Sequence, residues 1–339
     1  MLNRFLILLF ALLTISAGCS PRPPAIPSED LPPPFSPDAL NFLVVGDWGR
    51  DGFFNQRNVA EQMGETAAEI RSRFVISTGD NFYPSGVDDL NDFKWVTSYE
   101  RIYSAPSLRT PWYPVLGNHD WRGNVDAQIE YSAYSDTWTM PHRYYSRHIP
   151  VADSLNALFV FIDTTPIADA DRARIYPQSG RWFRSRQLAW IDSTLAASDA
   201  PWKIVVGHHP VYVASSKYED NPELIRDLVP IMERHGVQVY FSGHDHNLQH
   251  LRIADSDINY FVSGAGSLTR DVDSDDPHAL VALRVPGFMA VSLTAREMFV
   301  KVLDEHGHVY YFTNVPVGDR REPEPATQAP PQPTGSEPR

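Results

Sequence analysis

At 339 residues, with 42% hydrophobic and 21% charged side chains, the chain can bury a large core and has the make-up of an ordinary folded domain. Its 29 basic and 42 acidic residues leave a formal charge of −13, which speaks against a nucleic-acid backbone as partner. The single cysteine, Cys19, excludes an intrachain disulfide and a Cys-x-x-Cys metal site.

Residues 1–18 read as a targeting segment. Arg4 is their only charge, the apolar stretch FLILLFALLTI follows, and SAGC closes the segment with small residues. The apolar stretch is too short to span a membrane as a mature helix. The pattern is similar to a bacterial lipoprotein signal, although Ser16 stands where such signals usually carry an aliphatic residue. That resemblance implies a lipid on Cys19 and a protein anchored to a membrane of the bacterial cell envelope. Residues 19–39 are rich in proline and read as a semi-extended linker. Residues 317–339 have almost no apolar content and are expected to be disordered. The block 40–316 between them is even in composition, has no internal repeat, and is expected to form one domain.

Within that block, β-branched runs alternate with helical spacing. The runs NFLVVGD, RFVISTGD, WYPVLGNHD, ALFVFIDT, WKIVVGHH and VQVYFSGHDH read as strands leading into polar turns. Between them NQRNVAEQMGETAAEIRSR, DFKWVTSYERIY, RQLAWIDSTLAAS and PELIRDLVPIMERHG place apolar residues at helical intervals. Such alternation predicts an α/β fold whose strands are covered on both faces. Toward the C-terminus NYFVSGAG, ALVALRV, FMAVSLTA, EMFVKVLD and HVYYFTNV read as consecutive strands and hairpins, which predicts a second sheet beside the first. The expected fold is α/β, with two packed mixed β-sheets flanked by helices.

Five strand ends carry polar donors behind a glycine. They are GDWG with Asp47, GDNFY with Asp80 and Tyr83, GNHD with Asn118 and His119, GHHP with His208, and GHDH with His244 and His246. Taken singly, each is an ordinary turn or helix cap. In open α/β folds, however, ligands sit where the loops beyond several strand ends converge. Asp47, Asp80, Tyr83, Asn118, His208, His244 and His246 together exceed the needs of one tetrahedral zinc and suit two cations sharing a ligand. Two cations about 3.5–4 Å apart need an anion between them, and Asp80 is the expected carboxylate bridge.

In this order the five motifs, with GHDHNLQ as the fullest form of the last, resemble the purple acid phosphatases of the calcineurin-like metallophosphoesterases, the small tartrate-resistant type above all. The resemblance covers nearly the whole 40–316 block, including SGHDHNLQHL and FVSGAG. It implies the four-layer metallophosphoesterase sandwich and hydrolysis of phosphate monoesters by a metal-bound hydroxide, with two metal ions as cofactors. Carried over by motif, Asp47, Asp80, Tyr83 and His246 would hold Fe(III). Asn118, His208 and His244 would join Asp80 around a divalent ion: Fe, Zn or Mn. Hard carboxylate and phenolate oxygens suit the trivalent ion, and imidazole and amide the divalent one. His119 is no ligand in the family pattern; as the catalytic residue it would bind the phosphate or protonate the leaving oxygen. His209 is expected to pack or to support the ligands from behind, pointing away from His208 if the segment is extended, and Asp245 to support the ligands or serve a turn.

The resembled enzymes usually carry a further histidine in the loop after GHxP. No histidine stands between Pro210 and Arg234 here, which leaves Lys217 or Tyr218 as substitutes, or a different choice of substrate, and the proton donor open. The expected partners are a small phosphoester substrate and, through the lipid, a membrane; no nucleic acid is expected. A phosphodiesterase acting on nucleotides or lipid head groups, and a non-catalytic surface-binding lipoprotein, are the alternatives. Oligomeric state is not legible.

Overall fold

The computed structural model describes residues 22–152, 155–168 and 181–318. The predicted targeting segment, Cys19 and residues 319–339 lie outside the described residues. The strands are β1 (Leu40–Val45), β2 (Val75–Ser77), β3 (Trp112–Pro114), β4 (Tyr145–Ala152), β5 (Leu155–Phe161), β6 (Trp202–Val206) and β7 (Val239–Ser242). They continue with β8 (Leu248–Arg252), β9 (Asn259–Ser263), β10 (Ala279–Leu283), β11 (Gly287–Leu293), β12 (Glu297–Asp304) and β13 (Val309–Pro316). The helices are α1 (Gln56–Ile70), α2 (Val125–Glu130), α3 (Thr165–Ala168), α4 (Arg181–Ala196), α5 (Pro222–Asp227) and α6 (Val229–Arg234).

Two mixed sheets result, with strand orders β13-β12-β11-β1-β2-β3 and β10-β8-β9-β7-β6-β5-β4. Alternation along β5 shows how they stack. Ala157, Phe159 and Phe161 belong to the core between the sheets, whereas Leu158 and Val160 join Ile191, Leu195, Leu224 and Met232 of the helices outside. Phe42 of β1 crosses the interface, its ring 5.6 Å from Phe159 and 6.4 Å from Phe241, edge on in both cases. On the far side α1 buries Val59, Ala60, Met63, Ala67 and Ile70, the stripe its spacing predicts. The order of layers is therefore helix, sheet, sheet, helices.

Three expectations change in detail. The C-terminal strands do not make a sheet of their own: β9 and β10 join the β5–β7 sheet, while β11–β13 extend β1 antiparallel. The stretch PELIRDLVPIMERHG splits into α5 and α6, because Pro230 has no N–H to continue the first helix. In DFKWVTSYERIY the helical spacing yields a π-helical turn over Trp95–Glu100.

From residue 22 the proline-rich segment is laid against the domain. Arg22 Nη2 donates to both carboxylate oxygens of Glu305, at 2.7 and 2.6 Å, and Ile26 N–H donates to Val309 O at 2.8 Å. Ile26 and Phe35 pack on the core, and Lys301 Nζ lies 4.6 Å from the Phe35 ring centre.

Candidate metal centre

All five glycine-led motifs follow strands that run parallel to a neighbour: β1, β2 and β3 in one sheet, β6 and β7 in the other. Their C-terminal ends meet at one edge of the sandwich. There Asp47 N–H donates to Gly79 O at 3.0 Å, Gly243 N–H to His208 O at 2.9 Å, and Thr78 Oγ1 reaches across the sheets to Ser263 O at 3.1 Å.

The loops turn sharply. Asp47 (φ 59°), Asp80 (φ 49°) and His244 (φ 67°) adopt the left-handed region, which non-glycine residues rarely occupy, and the turns bring their side chains over the strand ends. Glycine is required beside them. At Gly79 (φ +93°) a Cβ would lie 2.9 Å from Gly117 N, and at Gly117 it would fall on the Asp80 carboxylate.

The seven predicted donors come together as two clusters. In the first, Tyr83 Oη lies 2.9 Å from Asp47 Oδ1, 2.8 Å from Asp80 Oδ2 and 3.1 Å from His246 Nε2. In the second, Asn118 Oδ1 lies 3.0 Å from His244 Nδ1 and 3.3 Å from His208 Nε2, and those two nitrogens are 3.2 Å apart. Asp80 belongs to both, because its Oδ1 lies 3.4 Å from His208 Nε2 while its Oδ2 faces Tyr83. All seven are buried except His244, which is half-buried.

This geometry supplies too few protons for its lone pairs. One phenolic hydrogen faces two carboxylates and an imidazole, and cations at the two clusters would relieve the conflict. His208 is oriented for such a role, since its Nδ1–H donates to Thr78 O at 2.9 Å and turns the Nε2 lone pair inward. Electrostatics agree with a site short of positive charge. Burial pushes the Tyr83 phenol well up and the charges of Asp47 and Asp80 add to it, against Arg50, whose guanidinium lies 3.6 Å from the ring centre. Burial pushes His208 down, but Asp80 and Asp47 outweigh it and hold the imidazole above its ordinary value. Burial also works to raise Asp47, yet the hydrogen bond with His246 and the charges of His208 and His246 hold it low. Burial, then His209, His208 and Arg270, hold His244 well below its usual value, so that its ring is neutral and able to ligate. The oxygen-rich cluster suits a hard ion and the nitrogen-rich cluster a borderline one.

His119 stands beside the clusters. Its backbone N–H donates to Asp80 Oδ1 at 2.8 Å, its Nδ1–H to Pro84 O at 2.7 Å, and its Nε2 lies 3.9 Å from Asp80 Oδ2. His209 departs from expectation. Its ring lies 5.0 Å from that of His208 and 4.5 Å from that of His244, on the wall of the same cavity. Strand β6 ends at Val206, so the alternation of faces no longer applies two residues on. The turn is held by Thr164 Oγ1, which accepts from His208 N–H (3.2 Å) and His209 N–H (3.0 Å) and lies 2.9 Å from His209 Nδ1. Asp245 is buried and accepts from Asn247 Nδ2 at 2.8 Å.

One residue of a quoted motif had no role in the sequence reading. Asp120, fully buried, accepts from Gly117 N–H at 2.8 Å, Asn81 N–H at 3.1 Å, Asn81 Nδ2 at 3.2 Å and Gln128 Nε2 at 2.9 Å. It ties the loop carrying Asp80 and Tyr83 to the loop carrying Asn118 and His119. The final letter of GNHD was the only signal of it.

Residues 40–248 match the family described as calcineurin-like phosphoesterase. The chain is 39% identical over 295 residues to purple acid phosphatase 3 of Arabidopsis thaliana, covering 83% of this chain and 79% of that one. It is 34% identical over 307 residues to tartrate-resistant acid phosphatase type 5 of Homo sapiens, covering 82% and 91%. Among solved structures it is similar to GAP50, the anchor in the inner membrane complex of Plasmodium, with a TM-score of 0.74 and 27% identity over 83% of this chain and 90% of that one.

Asp120 accepts from four donor groups on three residues, and an amide would turn a donor toward some of them. Asp120→Ala and Asp120→Asn should therefore both weaken metal retention, by about 10–100-fold in affinity. Metal content after dialysis against graded chelator measures this, and wild-type retention in both variants would refute the positioning role.

Proposed function

Because the chain belongs to the purple acid phosphatases of the calcineurin-like phosphoesterase family, we propose that this metal-dependent hydrolase of phosphoric esters is a binuclear phosphomonoesterase. The observation that supports the reading is the pair of donor clusters sharing the Asp80 carboxylate. Asp47, Asp80, Tyr83 and His246 would hold Fe(III); Asn118, His208 and His244, with Asp80, would hold Fe, Zn or Mn. Bound cations there would polarise the phosphate and supply a nucleophile from water near neutral pH.

The residues have distinct tasks. With cations bound at both clusters, the Asp80 carboxylate would place negative charge near each and offset their repulsion. His119, with Nδ1–H held by Pro84 O, presents Nε2 to the cavity, where it can bind a phosphoryl oxygen or carry a proton to the leaving oxygen. In the overall reaction the P–O bond to the alcohol breaks, an oxygen of water ends on phosphorus, and the alcohol leaves with a proton. Burial lowers the His119 pKa against the pull of Asp80, so the imidazolium belongs to acid solution and is lost as pH rises. A phosphodiesterase would use the same clusters; a monoesterase is set apart by preferring dianionic esters. GAP50 is described as an anchor, but the complete donor set favours catalysis for this chain. For location, the run ending in SAGC supports lipid attachment at Cys19 and a place on a membrane of the bacterial envelope.

Elemental analysis should find two metals per chain, iron among them, and the oxidised protein should absorb broadly in the visible through Tyr83. Tyr83→Phe should bleach that band with iron retained; an oxidised, iron-loaded wild type without the band would exclude phenolate ligation. His119→Ala should slow hydrolysis of alkyl phosphates about 10²–10⁴-fold and spare nitrophenyl phosphate, whose leaving group needs little protonation. Equal losses on both would assign His119 to phosphate binding alone. Cys19→Ser should release the protein from membranes or block its maturation. Wild-type protein found only in the soluble fraction, beginning after residue 19, would defeat the anchor.

A further inference from the structure

The cavity above the donor clusters has a volume of about 330 Å³, room for a small molecule and not merely its phosphate. The clusters form its floor. Its walls carry Arg122, Lys217, Tyr218, Asn221 and Arg270, and Ala168 is the one aliphatic residue among the described residues of the lining. Among the described residues, those walls do not offer the extended apolar surface that a lipid chain or bulky aryl group needs.

Several cations of this chain are neutralised by carboxylates: Arg22 pairs with Glu305, Lys94 with Asp92, Arg234 with Asp192. Among the described residues, Arg122, Lys217 and Arg270 form no ion pair. Arg122 Nη1 lies 3.2 Å from His119 Nδ1. Arg270 Nη1 donates to Tyr218 Oη at 2.9 Å and to His244 O at 3.3 Å, and its charge bears on the buried carboxylate of Asp245 below. Lys217 Nζ lies 4.7 Å from the Tyr218 ring centre. The Tyr218 ring is itself engaged, 4.5 Å from the His244 ring with the Arg270 guanidinium 5.6 Å away, so it supports cations rather than offering a stacking face.

A neutral alcohol leaving the floor gives these three positive charges nothing to bind. We infer that the favoured substrates are phosphomonoesters whose leaving group carries a second anionic group, such as bisphosphorylated sugars or polyols. This rests on the monoesterase reading and narrows its substrate class. Lys217, Arg122 and Arg270 hold the second anion while the scissile phosphate occupies the floor. Lys217 thereby acts as a specificity residue in the loop that lacks a histidine. Cleavage is unchanged in kind: water's oxygen goes to phosphorus, and the sugar or polyol departs protonated with its second phosphate still attached.

The test uses the metal-loaded protein and phosphate release from glucose 1,6-bisphosphate and glucose 6-phosphate. The bisphosphate should be favoured by about tenfold or more in kcat/KM at low salt, mainly through KM. The preference should shrink toward parity near 1 M salt, where screening acts within about 3 Å. Lys217→Glu, at an exposed position, should cost the bisphosphate several-fold more than the monophosphate, with metal content and melting temperature checked against wild type. Equal kcat/KM for the two esters in the wild type, or equal losses in Lys217→Glu, would overturn the inference. Failure of the two-metal protein to hydrolyse any monoester, nitrophenyl phosphate included, would instead overturn the monoesterase reading, and this inference with it.

Discussion

The Asp80 carboxylate lies between two groups of lone pairs that cannot satisfy one another, and the rest of the architecture serves to hold it there. One oxygen faces a phenol that already has a second carboxylate for company; the other faces an imidazole whose remaining proton is committed to Thr78. Such a cluster is costly without positive charge at its centre. Its backbone is costly as well, since Asp47, Asp80 and His244 are left-handed, each at roughly 1–3 kcal/mol. These conformations persist because neighbouring contacts over-determine them. Gly79 and Gly117 leave space, His119 N–H pins one oxygen of Asp80, and Asp120 holds two loops in register.

Rigidity beneath the site comes from aromatic packing. Trp48, next to Asp47, is fully buried and donates through Nε1 to Ser77 Oγ at 2.8 Å. Its ring meets Phe82, Tyr103, Trp112 and Trp138 edge on, with centroids 5.3–6.5 Å apart. Phe82 lies between Asp80 and Tyr83 in sequence, so the loop that carries two predicted ligands also drives a wedge into this cluster. Movement of the loop would disturb several large side chains at once, in an interior packed too densely to absorb it.

The predicted donors were legible because a glycine followed by a polar donor at one strand end is unremarkable, whereas five in succession imply convergence. The strands themselves were legible from their β-branched runs. Which sheet each strand joins was not: the periodicity of FMAVSLTA records two buried faces and carries no information about a partner, and β11 lies beside β1, far away in sequence. The direction of the His209 ring escapes the alternation rule because that rule ends with β6 at Val206. Asp120 went without a role since a carboxylate that accepts only from backbone and amide donors leaves no pattern distinct from a turn. That Arg122, Lys217 and Arg270 share one cavity wall depends on the packing of segments distant in sequence, which no local stretch encodes.

The docked proline-rich segment bears on how the catalytic domain would sit on a membrane. Arg22 is already fastened to the β12–β13 turn at Glu305, and only three residues of advance separate it from Cys19. A chain extends at most about 3.6 Å per residue, so with Cys19 lipidated the free leash is on the order of 10 Å. A longer unfastened tether would let the domain tumble and sweep a hemisphere above the bilayer. This one would hold the β12–β13 edge toward the lipid and restrict the domain to turning about an axis normal to the surface. Encounters would then depend on what diffuses past at one fixed height.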